Sequence, residues 1–496
     1  MSIFGDKFSE LKKASEPLYK SPKSVQQTIE IMKISESGIF EVVGGKYSKT
    51  YRFSDVNYAT RSEDEQESFF QKYCKALNSF DCTFKITVNN KNKDMELLRE
   101  HVMLSYKHDD FDPMRKSYNK IIEEKILEGR QGIDQERYIT ITIERKNFEE
   151  AKAAFATIEA NMNKSFAELG SRVEALTGNE RLKVLHDYYR LGREEEFDFD
   201  IAEGKITGTD FRNEICNCRV KYFQDYFEDE GKVGRVLFIK KYPTYLSDRF
   251  FTELTFMPIH SITSVDVVPV PKDLTMKMLQ KKYLGIESDI IRQQRTRNRN
   301  NDFSSDISYH TRRQKQDIED IMTNVRENDE SLYFVGVNMI VMADNKEELD
   351  SICESIDSIA RGAGCVIDTC QYKQREAINT ALPIGVRQIE TMRTMLTQSL
   401  AVLMPFNVQE MCDIGGIYYG VNQISKNIIV GNRKKLLNGN GFIFGVSGAG
   451  KSFQAKMEMG SVLLSTDDNV IAVDPMNGAK RSYLKRVGAI LIKLYA

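Results

Sequence analysis

A chain of 496 residues with 41% hydrophobic and 10% aromatic content has the composition of an ordinary soluble globular protein, long enough for about three domains. Lysine and arginine number 70 against 72 aspartate and glutamate, a formal charge of −2, so nothing global calls for a polyanionic partner and any nucleic-acid contact must be local. The start, Met1-Ser2-Ile3-Phe4-Gly5-Asp6-Lys7, has no apolar signal core, and no apolar run approaches the ~20 residues of a bilayer span, so a cytoplasmic protein is expected.

Residues 1–25, polar and lysine-rich with Pro17 and Pro22, read as a loose leader. From Gly38 to Tyr58 the pattern alternates through Ile39, Glu41 and Val43 and again through Tyr47, Tyr51 and Phe53; Gly44-Gly45 between them predicts a hairpin. Phe69, Phe70, Tyr73 and Leu77 predict an amphipathic helix over Ser62–Phe80. A strand is expected over Cys82–Val88, closed by a turn at Asn89-Asn90. A helix near Asp112–Leu127, a strand over Tyr138–Ile143 and an alanine-rich helix over Phe148–Leu169 complete an α+β domain expected to span 26–200.

A helix over about Asn179–Leu191 leads to the acidic run Glu194-Glu195-Glu196. Paired carboxylates can be catalytic, but nothing apolar isolates these, and a solvated loop is the better reading. A second α/β region is expected over 201–410. Its strands are Gly234–Tyr242, Ser264–Val270, Leu332–Ala343 and Gly364–Thr369, with a helix over Lys346–Arg361, a turn at Leu382-Pro383-Ile384-Gly385 and a helix over Val386–Leu400. Within it, Asp289–Asp317 carries Arg292, Arg295, Arg297, Arg299, Arg312 and Arg313, with Phe303 and Tyr309 as its sparse aromatics. Two readings stand: a patch that contacts a nucleic-acid or acidic-lipid backbone, with direct DNA binding, or a solvated helix end and flexible connector over 289–317. The eight cysteines, Cys74, Cys82, Cys216, Cys218, Cys353, Cys365, Cys370 and Cys412, are scattered, and only Cys216 and Cys218 are close. Cys-x-Cys without a second half or a nearby histidine is poor zinc spacing, and buried reduced thiols are expected. No repeat of fixed period stands out.

The most specific signal comes late. Gly445-Val446-Ser447-Gly448-Ala449-Gly450-Lys451-Ser452 spells the phosphate-binding loop of P-loop NTPases. Apolar Gly441-Phe442-Ile443-Phe444 precedes it as the expected buried strand, and helix formers follow from Phe453 to Leu464. Glycines let main-chain N–H groups turn inward, and those groups with the positive helix end cradle phosphate oxygens. Lys451 would reach the β and γ phosphates of ATP and the Ser452 hydroxyl would ligate Mg²⁺, with Phe453 the last residue of the expected cofactor-binding set. Val470-Ile471-Ala472-Val473-Asp474 resembles a Walker B strand, so Asp474 is either a metal- or water-holding carboxylate or a structural strand end. The fold class read from these elements is α/β: an α+β N-terminal region followed by an incomplete RecA-like P-loop NTPase domain over 411–496.

These residues and several others resemble the VirB-four-type (TraE/TrbE-like) conjugal transfer ATPases of type IV secretion systems, in the form carried by mobile elements of Gram-positive bacteria. The matching stretches, spread over about residues 22–475, are Lys46-Tyr47-Ser48-Lys49-Thr50-Tyr51-Arg52-Phe53, Gly234-Arg235-Val236-Leu237-Phe238, Ser264-Val265-Asp266-Val267-Val268-Pro269, Ser399-Leu400-Ala401, Gly415-Gly416-Ile417-Tyr418-Tyr419-Gly420 and Asn438-Gly439-Asn440-Gly441. The resemblance implies an N-terminal region that docks on type IV secretion channel components at the inner face of the cell membrane. It also implies a C-terminal motor that binds ATP and Mg²⁺ at Gly445 to Ser452, forms homo-oligomers and drives transfer. After Asp474-Pro475 the family usually shows glutamates, where this chain has Met476, Asn477 and Gly478, although Leu491–Tyr495 fits the next family strand. Only 44 residues follow Ser452, so the motor is expected to be incomplete and hydrolysis by this chain alone to be at or near background. The alternatives to an ATP-binding component are a non-enzymatic docking or assembly subunit and a nucleic-acid-binding adaptor.

Overall fold

The computed structural model describes residues 24–92, 99, 102–128, 133–299, 309–413, 415–423, 427–466, 468–473 and 490–492. Residues 1–23 of the expected leader 1–25 lie outside the described residues, as does Asp474; Val25, at the leader's end, opens a short 3-10 turn and is buried.

Runs of alternating β-branched and aromatic residues give the strands, taken here in chain order. The first half supplies β1 (Ile31–Ile34), β2 (Ile39–Val42), β3 (Lys46–Phe53), β4 (Thr83–Asn92), β5 (Ile133–Glu144) and β6 (Val173–Ala175). The second supplies β7 (Val220–Tyr222), β8 (Phe227–Asp229), β9 (Lys232–Lys241), β10 (Ser261–Val270), β11 (Leu332–Ala343), β12 (Val366–Thr369) and β13 (Arg393–Leu396). Among the described residues these thirteen form one sheet, in the order β1-β2-β3-β5-β4-β10-β11-β9-β8-β7, with β6 on β3, β12 on β9 and β13 on β11. Every pairing in it is antiparallel. The expected hairpin forms at β2–β3, with Gly44 and Gly45 at φ +86° and +69°, the left-handed values that a tight turn between right-twisted strands needs.

That order contains a duplication that no sequence period revealed. In β3, β4, β5 and β6 the third strand lies between the first and second, and the fourth lies beside the first; β9, β10, β11 and β12 repeat the arrangement. Each set is a split βαβ, ferredoxin-like unit. β4 and β10 are each ten residues long, β5 and β11 each twelve. The helices that follow the third strands, Phe148–Leu169 and Lys346–Gly362, start alike: Asn147 and Asn345 cap them by accepting from Glu150 N and Glu348 N, both at 2.9 Å. The units join edge to edge at β4–β10, from Phe84 opposite Val267 to Asn90 opposite Ser261. The sheet thus runs without a break across the expected boundary between 26–200 and 201–410.

Other expectations are corrected. Asn89-Asn90 is not a turn, because β4 continues to Asn92. Asn90 Nδ2 donates to Thr255 O (2.9 Å) and Ser261 Oγ (3.1 Å), so its polar side chain is satisfied inside the sheet. Residues 289–299 form a helix end, as one reading had it, and residues 309–317 are helical as well; the two helices, Lys272–Arg299 and Tyr309–Glu327, pack together, held by Lys315 on Glu287 (3.0 Å) and over the Tyr283 ring. The helix expected over Val386–Leu400 does not form as such: after helix Gln374–Ala381 the chain crosses irregularly and then gives β13 and the short helix Thr397–Ala401.

Two buried cations explain the crossing. Lys85 lies in the middle of the sheet and donates to the carbonyls of Thr380, Leu382 (3.1 Å) and Val386 (3.2 Å). Arg181, on helix Gly178–Tyr189, donates to Gly38 O (2.9 Å), Ser48 O (2.8 Å) and Pro383 O (3.2 Å), with its guanidinium stacked 3.8 Å over Phe40. Carbonyls given to buried cations are lost to a helical ladder, so the chain cannot coil there. Burial pulls the Lys85 pKa down, opposed by Asp266, and the same burial pushes the Asp266 carboxyl up. Arg181→Leu removes the guanidinium from the Gly38, Ser48 and Pro383 carbonyls in the buried interior and is expected to cost about 3 kcal/mol or more. The readout is a lower urea midpoint, with Arg181→Lys recovering part of the loss.

Candidate phosphate-binding site

The residues from 411 onward start with the antiparallel hairpin β14 (Ile417–Val421) and β15 (Ile428–Gly431). The loop and its helix, Lys451–Ser465, come next, then β16 (Ile471–Val473), which pairs in parallel with β17 (Ile490–Ile492). The helix opens at Lys451, as the motif requires. Its cap residue Gly450 stands at φ +86° and offers no side chain to the first-turn amides. Gly448 is also left-handed, at φ +84°. A Cβ on Gly445 would come within 3.2 Å of Ala449 Cβ and 3.4 Å of Lys451 Cγ, so the turn is closed around a glycine. Lys451 Nζ donates to Gly445 O (2.7 Å) and Val446 O (2.9 Å) and so bridges the two ends of the turn. Ser452 and Phe453 occupy the first helical turn, and Phe453 is exposed.

The approach to the loop differs from expectation. Gly441-Phe442-Ile443-Phe444 is not a buried strand: Phe442 is 82% and Phe444 87% exposed, and no described strand pairs with the segment. An apolar run is buried only where neighbours flank it, and here the two phenylalanine rings stack on each other at 5.9 Å instead. Gly441 has its own reason: a Cβ there would lie 2.7 Å from Arg433 Nη1.

Arg433 ties the hairpin to the helix. It donates to Tyr419 OH (3.0 Å) and pairs with Glu458 (2.6 Å), while Tyr419 OH donates to Glu458 (3.1 Å). Lys434 pairs with Asp468 at 2.6 Å. The far end of the helix is fastened to the first unit. Arg115, on helix Asp112–Glu128 and 2% exposed, donates through Nε to Leu464 O (3.3 Å). Its remaining donors hold Asp109 through both carboxylate oxygens (2.5 and 3.0 Å) and Asp112 (2.7 Å). A cation on the last carbonyls of a helix matches the negative end of its dipole. Val102 and Ile122 pack against Ile428 and Val430 beside it. Sequence reasoning missed Arg115, because a lone arginine in a charged helix gives no signal of a partner some 350 positions away.

The arrangement suits a polyphosphate chemically. Main-chain amides at an uncapped helix start, two left-handed glycines and an ammonium at the same turn form a concave donor set with no competing carboxylate among the described loop residues. Val446 is 78% exposed, so the turn is open to solvent. ATP phosphates would be held by the 445–451 amides and Lys451, and Mg²⁺ by the Ser452 hydroxyl. Asp474 lies outside the described residues, so its role stays as first read.

The other features stand apart from this loop. Glu194–Glu196 form a short 3-10 turn in which Glu196 pairs with Arg190 (2.7 Å), as a solvated ion-paired loop should. Cys216 and Cys218 bring their sulfurs to 3.1 Å beside Asp229, whose carboxyl is pushed up to about 6 by burial; among the described residues no cluster of three or more metal-ligating groups occurs. Arg295, Arg312 and Arg313 are exposed on the paired helices. No protein-family model and no curated protein matches this chain.

The fastening at Leu464 has a testable consequence. Arg115→Ala is expected to speed amide exchange at the C-terminal turns of helix Lys451–Ser465 while leaving the sheet unchanged. Arg115 holds the Asp109 carboxyl below its usual range, so this contact is fully present above about pH 4 and weakens as pH falls through the depressed value. The same exchange measured down a pH series checks the sign.

Proposed function

We propose that this chain is the ATP-binding component of a conjugative, type IV secretion machine of the VirB-four type. The observation that carries the reading is the Gly445–Ser452 turn at the start of helix Lys451–Ser465, with Lys451 at its mouth. The family stretches quoted above support the choice of machine, and a RecA-like motor is the fold to which such a loop would belong. In this reading ATP binds with Mg²⁺ on the Ser452 side, and Gly448 and Gly450 keep the loop amides free to face phosphate. The large antiparallel sheet is the docking platform toward channel components. Among the described residues no helix is long and apolar enough to cross a membrane, and in this reading attachment to the inner face of the membrane runs through partners. Homo-oligomer formation belongs to the same proposal.

Bound phosphate would make charge-assisted hydrogen bonds to the Lys451 ammonium, each worth about 1.5–3 kcal/mol, or roughly tenfold to more than a hundredfold in affinity. Titration of a fluorescent ATP analogue with Mg²⁺ is therefore expected to show saturable binding that Lys451→Ala weakens at least tenfold. Ser452→Ala is expected to remove the part that depends on Mg²⁺. Absence of binding by the unaltered chain, or equal binding by Lys451→Ala, contradicts the proposal.

A further inference from the structure

The duplicated units treat one equivalent space differently. In the first unit, the space between the exit of β3 and the start of β5 is filled by an extended segment of the chain's own, Pro405–Gln409. Asn407 O accepts from Tyr58 N and Ala59 N, both at 3.0 Å, and Asn407 N donates to Asp55 (2.8 Å). Gln409 N donates to Asn57 Oδ1 (2.8 Å), and Arg137 donates to Pro405 O (2.6 Å). What remains open there is about 220 Å³.

In the second unit, β13 lies along the start of β11, and the space between β13 and the exit of β9 stays open. It is a groove of about 900 Å³, near the upper end of the usual range for ligand sites. β13 is hydrogen-bonded to β11 alone among the described strands, so its other edge borders the groove with main-chain donors and acceptors unused by the sheet. Apolar Met395, Leu396 and Val402 line the floor, and Tyr245, 84% exposed, stands at the rim.

The charges are one-sided. Arg393 directs its guanidinium to the main-chain oxygens of Lys240 (2.9 Å) and Met392 (3.5 Å), so its charge meets no carboxylate among the described residues, and none lies within ion-pair distance of Lys241. Lys240 is paired with Asp368 (2.7 Å), and the groove's one acid, Asp248, accepts from Tyr58 OH (2.7 Å).

We propose that this groove binds an extended segment of a partner protein that alternates aliphatic and acidic side chains and adds as a strand to the free edge of β13. The first unit offers a parallel, an extended segment held between the exit of β3 and the start of β5 by hydrogen bonds to its main chain, whereas in the second unit β13 fills only the side along β11. The edge gives main-chain affinity, the apolar floor takes alternate side chains, and Lys241 and Arg393 select carboxylates on the others. The proposal is independent of the phosphate loop.

The probe is a fluorescein-labelled heptapeptide alternating valine and glutamate, titrated by anisotropy against the full chain. It is compared with a lysine-for-glutamate version and with one N-methylated at alternate main-chain nitrogens. We expect the glutamate peptide to bind, the lysine peptide to bind at least tenfold more weakly, and the N-methylated peptide not to bind. Lys241→Glu, and separately Arg393→Gln, should each weaken the glutamate peptide severalfold. Amides of residues 393–396 should gain exchange protection on binding, a readout that holds even where a variant is unstable. Failure of the glutamate peptide to bind, equal affinity for the lysine peptide, undiminished binding after N-methylation, or protection elsewhere than β13 overturns the proposal.

Discussion

A buried ammonium must be surrounded by acceptors, and in this molecule that requirement dictates how the chain crosses its own sheet. Lys85 sits at the seam where the two units meet, in a row of directly opposed residues, Thr50, Thr140, Lys85, Asp266 and Gly336, that spans five neighbouring strands. The first four side chains are buried and polar, so an apolar helix could not cover them without stranding their hydrogen-bonding groups. The segment over residues 380–386 offers carbonyls to Thr50, Thr140 and Lys85 instead. Arg181 grips the same segment from the first unit and Lys85 from the seam, so one short stretch of irregular chain locks both halves together. Everything downstream, β13 and then the phosphate loop, starts from where that crossing ends.

Fastening continues at the other end of the molecule. The helix that begins at the phosphate loop finishes on Arg115, and the hairpin beside it rests on Val102 and Ile122. The candidate nucleotide site is thereby held to the first unit, and the open groove belongs to the second. The seam at β4–β10 is the rigid connection between them.

Much of the fold was legible because it rests on local rules. Gly44-Gly45 announced a hairpin, the alanine-rich helix Phe148–Leu169 has the bounds its pattern gives, and the loop at 445–452 stands out by its glycines, of which Gly448 and Gly450 take positive φ. What could not be read depends on partners far along the chain. Asn89 and Asn90 look like turn residues until Thr255 and Ser261 satisfy Asn90. Residues 386–400 carry adequate helix formers, but the chain enters them from a crossing whose carbonyls at 380, 382, 383 and 386 are held by Lys85 and Arg181, and Arg393–Leu396 pairs with β11 instead. Phe442 and Phe444 look like a buried strand, but burial needs flanking strands that the segment itself cannot supply. The duplication left a trace in Asn147-Phe148-Glu149-Glu150 and Asn345-Lys346-Glu347-Glu348, two identical cap patterns after two apolar strands, too short to stand out without knowing that β5 and β11 are equivalent.

The central claim is that the start of helix Lys451–Ser465 was built to grip a triphosphate. Amide hydrogen exchange of the full chain with and without Mg²⁺ and ATP tests it most directly, because it shows where the ligand sits and not only that it binds. The account predicts slowed exchange confined to about residues 445–454, abolished by Lys451→Ala. Unchanged exchange in that window at saturating nucleotide, or slowing that falls on the sheet and spares the loop, would contradict it.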